Sequence, residues 1–214
     1  MRMPLSKPIS SFQNWNDTKK TVLPGKFYLS RGALSLSRDL LGKVLVTEID
    51  GHTSSGIIIE TEAYCGVADR ASHAYANRCT ERTKVMFGPG GRAYVYMCYG
   101  IHYLFNVVCL DEGIPHAVLI RNIVPLEGLE IIKKRRFAGG KSNRPLTSGP
   151  GTVSQALGIN LDHNGIELKG PEIRIEDRSI EIDDDHTIIG PRIGVSYAGP
   201  DADLPYRFRI KKAE

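Results

Sequence analysis

Two carboxylates, Glu60 and Glu62, close an apolar run in the segment IIIETEAY, residues 57–64. Tyr64 follows directly, His73 stands nine residues further on, and Tyr96, Tyr99 and Asn106 lie in the tyrosine-rich stretch YVYMCYGIHYLFN, residues 94–106. If the two stretches meet, Glu62, Tyr64, His73, Tyr96, Tyr99 and Asn106 line one pocket in which aromatic walls surround a carboxylate. That combination suits hydrolysis beside a flat, uncharged ring, because ring faces hold the ring while the acid serves as a base. Arg121 interrupts the apolar run HAVLIRNIV, and an arginine buried in a strand needs an anion or a carboxylate as its partner.

None of these residues is decisive alone. Two acids at a strand end also serve as a solvated cap, a loop histidine as a surface hydrogen-bonding group, and four tyrosines at strand spacing as aromatic packing on a half-buried sheet. Burial separates the readings, since a carboxylate near the end of a buried strand is partly desolvated and its pKa rises.

The elements that must position these groups are legible in part. In SRGALSLSRDLLG, Ser30 is a candidate N-cap and Gly42 a stop for a short helix packing Leu34, Leu40 and Leu41 inward. KVLVTEI reads as a strand, Asp50-Gly51 as a tight turn, and residues 55–64 as the antiparallel return. Strict alternation in that return strand puts Ile58, Glu60, Glu62 and Tyr64 on one face and Ile57, Ile59, Thr61 and Ala63 on the other. Residues 65–91 form a long loop of the kind that is often functional. Gly100 breaks residues 92–110 into strand, turn and strand, with Tyr94 and Tyr96 on one face and Tyr99 at the tip. Residues 115–124 form a further strand, and Pro125 suits the start of a helix with Leu126, Leu129 and Ile132 or Lys133 in register. In LTSGPGTVSQALGI a Ser-Gly-Pro turn opens a short helix whose free N–H groups, beginning at Ser148 and Gly149, suit an anion. Beyond residue 166, alternation of apolar and charged residues indicates strands at a sheet edge. Residues 1–26 read as a loosely packed arm with Phe12 and Trp15 as anchors, leaving residues 27–214 as one domain.

The composition is that of an ordinary globular protein: 214 residues, 41% hydrophobic and 24% charged, which sets aside disorder, coiled coil and collagen. The net charge of +4 permits a polyanionic partner without demanding one. Its distribution is uneven. Arg121, Lys133, Lys134, Arg135, Arg136, Lys141 and Arg144 face only Glu127 and Glu130 within residues 121–144, whereas residues 181–185 read EIDDD. The Lys133, Lys134, Arg135, Arg136 run suits phosphates, although many such runs are simply solvated. Four cysteines without a CxxC pair read as free thiols in a reducing, cytoplasmic setting, and no stretch resembles a signal peptide or membrane span. The Asp183–Asp185 run before His186 reads as a solvated acidic turn, and no metal or cofactor is expected.

In order along the chain, IIIETEAY, ASHAY, VMFGPGGRAYVYMCYGIHYLFNVV, AVLIRNIVPLEG and LTSGPGTVSQALGI closely resemble the alkyladenine DNA glycosylase family, also called the mammalian-type 3-methyladenine DNA glycosylases. The resemblance spans roughly residues 27–197. It implies removal of alkylated or deaminated purines from double-stranded DNA by hydrolysis of the N-glycosidic bond, leaving an abasic site in base excision repair. It implies Glu62 as general base, Arg121 positioning the attacking water, Tyr64, His73 and Tyr96 stacking and orienting the extruded base, Asn106 set against the exocyclic amine of guanine, and Tyr99 intercalating into the vacated stack. The fold it implies is α+β: a single domain with a curved, mostly antiparallel sheet, peripheral helices and a protruding, DNA-intercalating β-turn. It further implies a monomer without membrane contact, cytoplasmic and, in a bacterium, nucleoid-associated rather than secreted. A non-catalytic nucleic-acid-binding module and a metal hydrolase using Glu60, Glu62 and His73 are the rival readings.

Overall fold

The computed structural model describes residues 19–137, 140, 143–180, 182 and 184–211. In chain order the described elements are β1 (Thr21–Val22), α1 (Gly25–Leu29), α2 (Ala33–Asp39), β2 (Val44–Ile49), β3 (His52–Tyr64), β4 (Ala93–Cys98), β5 (His102–Cys109) and β6 (His116–Glu127). They continue with α3 (Leu129–Phe137), α4 (Pro150–Leu157), β7 (Ile173–Asp177), β8 (Thr187–Gly190) and β9 (Arg207–Ile210). Among the described residues the strands join one antiparallel sheet in the order β1-β7-β2-β3-β6-β5-β4, with β9 pairing to β3 and to β8. The fold is therefore α+β, with a mostly antiparallel open sheet and a few helices.

β3 is the axis of this sheet. Its first half pairs with β2 across a turn in which Asp50 (φ 56°) and Gly51 (φ 72°) both adopt the left-handed conformation, the requirement of a two-residue hairpin turn. Its second half outlasts β2, and there β9 takes over as neighbour, with Glu60, Thr61 and Glu62 opposite Arg209, Phe208 and Arg207. Along its other edge β3 pairs with β6 almost throughout, with register shifts around Glu60.

The sheet's two faces are covered differently. On one face α1, α2 and α4 bury Tyr28, Leu36, Leu40, Val153 and Leu157 against Ile58, Ala63, Val95, Phe105, Val107, Val118 and Ile120. On the other face, turns of the 65–91 segment bring Ala74 and Met86 against Tyr94, Val108 and Ala117, and Val195 and Ala198 pack with Ala71 and Tyr64.

Several expectations are corrected. Ser30 is not an N-cap: it ends α1, its hydroxyl donates to the Lys26 carbonyl, and Gly32 precedes α2. Leu34 is exposed while Leu36, Leu40 and Leu41 are buried. Ile58 does not share a face with Glu62. The register shifts around Glu60 insert an extra step into the alternation, so Ile58 joins Ala63 in the helix-covered core. Pro125 does not begin a helix; it continues β6 opposite Gly56 at a register shift, where a missing N–H is tolerated, and α3 starts only after Gly128. Within the segment ending at residue 26, Thr21 and Val22 pair with Asp177 and Glu176, and Leu23 is buried. Phe12, Trp15, Lys141 and Asp183 lie outside the described residues.

Gly128 (φ 72°) marks the corner between β6 and α3, and a Cβ there would stand 2.3 Å from the Thr53 carbonyl oxygen. Gly128→Ala is expected to lose about 1–3 kcal/mol of stability from this strain and clash, measured by urea unfolding.

Candidate active site

Directly paired residues of antiparallel strands point to the same face, so the register alone places the key side chains. Tyr94 is opposite Asn106, Asn106 opposite Leu119, Leu119 opposite Glu62, and Glu62 opposite Arg207, one row crossing β4, β5, β6, β3 and β9. The neighbouring row holds Tyr64 opposite Ala117 and Ala117 opposite Val108. Residues far apart in the chain thus meet on the face that the 65–91 and 190–203 segments cover.

Glu62 is fully buried. Its Oε2 accepts from the Tyr64 hydroxyl at 3.0 Å and from Arg121 Nη1 at 3.2 Å, and its Oε1 accepts from the Ile193 backbone N–H at 2.8 Å. Burial pushes the Glu62 pKa up; Arg121, the Ile193 N–H and the Tyr64 hydroxyl oppose this without cancelling it. A desolvated, oriented carboxylate of raised basicity is suited to accept a proton from water. Arg121 also donates from Nε to Glu60 Oε1 at 3.3 Å, and Arg207 approaches the same oxygen at 3.5 Å. The buried strand arginine therefore has its carboxylate partners, and Glu60 helps hold Arg121 in place.

The aromatic wall is continuous with this acid. Tyr94 and Tyr96 lie 5.4 Å apart, and the His73 ring meets Tyr96 edge-on at 4.7 Å. His73 Nδ1 is 2.9 Å from the Tyr94 hydroxyl, and Arg82 Nη2 donates to His73 Nε2 at 3.4 Å, so a neutral ring protonated at Nδ1 satisfies both contacts. Burial, followed by the charges of Arg82 and Arg78, pushes the His73 pKa down to about 4. Asn106 is buried and donates from Nδ2 to the Tyr94 carbonyl at 3.0 Å. Tyr64, Ala71, His73, Met86, Tyr96 and Asn106 share one pocket, and Glu62 reaches it through the Tyr64 hydroxyl.

Tyr99 stands apart from this wall. It caps the β4–β5 hairpin with φ 51°, followed by Gly100 at φ 71°, and the Ile101 N–H closes the turn onto the Cys98 carbonyl at 3.2 Å. Its side chain is 90% exposed, an unusual state for a tyrosine, and Ile101 beside it is 74% exposed. α4 begins next to this hairpin: a Cβ on Gly151 would lie 2.8 Å from the His102 ring. Ser148 and Gly149 therefore sit on the hairpin's side of the molecule, although the Ser148 N–H is already taken by Thr152 Oγ1.

The basic run divides. Arg135 is turned inward, donating to Ser54 Oγ and to the Ile49 and Ala156 carbonyls, and Arg136 donates to the Leu146 carbonyl and pairs with Gln155. These bonds tie α3 to the body of the fold. Lys133 pairs with Glu130 in solvent, and Lys134 is exposed.

Sequence reasoning missed Tyr94, Arg82, Asp69, Arg192, Ile193 and Tyr197. Arg192 is the main omission: fully buried, it pairs with Asp69 at 2.5 Å and 2.8 Å, donates to the Ala63 carbonyl, and lies 4.9 Å over the Tyr64 ring. No local pattern marks it, because its ion-pair partner Asp69 and the Ala63 carbonyl are more than a hundred positions away; among the six, only the two-residue spacing of Tyr94 and Tyr96 is visible in the sequence. All four cysteines are free, and no described helix is long and apolar enough to cross a membrane. Among the described residues no group of three or more His, Cys, Asp or Glu side chains could hold a metal ion.

Sequence comparison now adds the class. Residues 26–214 match the family model described as methylpurine-DNA glycosylase. A protein of Chlamydia felis named "Putative 3-methyladenine DNA glycosylase" is 49% identical over 195 residues, covering 90% of this chain and 99% of that protein. Proteins of the same name from Chlamydia pneumoniae, 46% identical over 88% of this chain and 95% of their own, and Clostridium acetobutylicum, 42% identical over 87% and 92%, are similar throughout. The chain belongs to the methylpurine-DNA glycosylase family, and its class is that of a hydrolase, a DNA N-glycosylase.

Arg192→Met is expected to cost about 3–5 kcal/mol of stability, because Asp69 is left as an uncompensated buried charge, measured by chemical denaturation.

Proposed function

We propose that this protein removes 3-methyladenine and related alkylated or deaminated purines from duplex DNA by flipping the damaged base into the pocket of Tyr64, His73 and Tyr96. Glu62 deprotonates the water that attacks the glycosidic carbon, and Arg121 orients that water and balances the charge. The observation that carries this reading is the fully buried Glu62, held by three donors on the same sheet face as the aromatic wall. A base inside a duplex exposes neither its glycosidic carbon nor its ring face, so extrusion at a cost of a few kcal/mol precedes chemistry. Stacking against aromatic side chains offsets that cost by roughly 1–3 kcal/mol per contact. Tyr99, on a turn at the far end of the hairpin that carries Tyr94 and Tyr96, fills the gap left in the stack, as inserted wedges do. Departure of the purine leaves an oxocarbenium-like sugar that the Glu62 carboxylate stabilises. A cationic alkylpurine is already a good leaving group; neutral lesions need further help. The protein acts as a monomer on chromosomal DNA, with Asn106 excluding guanine and the start of α4 near Ser148 and Gly149 receiving a backbone phosphate.

Glu62→Gln keeps the shape of the side chain and is expected to bind a lesion duplex while single-turnover base release falls by about a hundredfold or more. Unchanged release would remove Glu62 from the mechanism, and a wild-type protein that binds without releasing any base would favour a non-catalytic module. The sign of the pH dependence follows from the raised Glu62 pKa: the ionised base is lost as pH falls through that raised value. Excision should therefore decline on acidification at a midpoint above the ordinary glutamate value of about 4.3, read from a single-turnover pH profile. Tyr99→Ala is expected to reduce the extruded fraction, read from the fluorescence of a reporter base in the duplex; an unchanged signal would argue against the wedge.

A further inference from the structure

The space left within the aromatic wall is about 30 Å³, room for a water or two and not for a purine. Something must move when a base enters. Tyr64 is tied to Glu62, while Tyr94 and Asn106 are buried, so the deep walls are held. The mouth is different. Arg82 is an exposed residue whose guanidinium lies 4.7 Å from the centroid of the Tyr96 ring and whose Nη2 touches His73 Nε2. Among the described residues no carboxylate pairs with it, and the adjacent Glu81 pairs with Lys84 instead.

We propose that Arg82 is a specificity-determining residue: in the free protein its planar cation takes a seat on Tyr96 that an extruded purine would use, and the base must displace it. This rests on the glycosylase reading above. A guanidinium over a ring is held by the same face that would hold a base, and an exposed cation–π contact is weak enough to be exchanged. Arg82 also lines a second groove of about 430 Å³ with Arg70, Arg78, Thr80 and Thr83, which adjoins the pocket through His73 and Tyr197. That groove offers the displaced guanidinium a place beside the pocket rather than away from it. Two consequences follow for substrate choice. Any base, damaged or not, competes with Arg82 for the ring, which penalises casual entry of normal purines. A cationic alkylpurine carries an added penalty, because the displaced arginine remains a nearby like charge, whereas a neutral lesion such as hypoxanthine does not.

The test combines the free protein with two lesion duplexes that both lack guanine's exocyclic amine, one holding cationic 3-methyladenine and one neutral hypoxanthine. Arg82 side-chain proton resonances are expected to be shifted upfield by the Tyr96 ring in the free protein and to relax toward ordinary values on binding either duplex. In the Glu62→Gln background, Arg82→Ala should raise the extruded fraction by about two- to fivefold, the worth of an exposed cation–π contact. In the otherwise native protein, Arg82→Ala and Arg82→Gln should both raise the ratio of 3-methyladenine to hypoxanthine excision, since both remove the charge. Arg82 resonances at ordinary positions in the free protein, or an excision ratio that neither variant changes, would overturn the proposal. A native protein that releases neither base would instead sink the glycosylase reading, and the resonance positions in the free protein would still decide whether Arg82 holds the seat.

Discussion

Glu62 has lost its water, and a carboxylate without water must find hydrogen bonds and counter-charge in the protein or give up its ionisation. Much of the site's architecture meets that requirement. Arg121 reaches both Glu62 and Glu60, so one guanidinium bridges two like charges that stand two residues apart on β3. The irregular register of β3 around Glu60 shifts Glu60 opposite Asn122 and leaves Arg121 free to span the two acids. Irregularities of this kind re-aim side chains at the expense of one rung of pairing.

A further donor to Glu62 comes from far along the chain. Ile193 supplies a backbone N–H, and its position is secured by its neighbour Arg192, which is locked to Asp69. Asp69 in turn accepts from the Cys65 and Ala71 N–H groups and so shapes the start of the long loop that carries His73. One buried ion pair thus joins two irregular segments over the open face of the sheet. Arg192 also lies over Tyr64, stiffening the ring whose hydroxyl touches the acid.

The aromatic wall and the Tyr99 turn belong to one hairpin. β4 carries Tyr94 and Tyr96 on its pocket face and ends in the turn that bears Tyr99, about 10 Å further along at ordinary strand rise. α4 packs against β5 from the opposite face, where Val153 and Leu157 meet Phe105 and Val107. A hairpin fixed in this way holds the exposed Tyr99 side chain at a set distance from the pocket.

Much of this was written locally. The Asp50-Gly51 and Tyr99-Gly100 turns are legible because left-handed backbone demands particular residues, and the pairing of Tyr94 with Tyr96 follows from strand periodicity alone. The ordered motifs from IIIETEAY to LTSGPGTVSQALGI were sufficient to indicate the family. Strict alternation nevertheless puts Ile58 on the wrong face, Pro125 has the local signature of a helix start, and no local pattern shows that Arg135 and Arg136 bond to carbonyls of their own chain. Each error has the same cause: local pattern does not record a register shift or a distant acceptor. Whether Glu62 was a solvated cap or a buried base was likewise undetermined by spacing. Sequence determined the residue types, the turns and the family; the tertiary structure decided which of them meet, because burial and cross-strand register are properties of segments more than a hundred residues apart brought onto one sheet face.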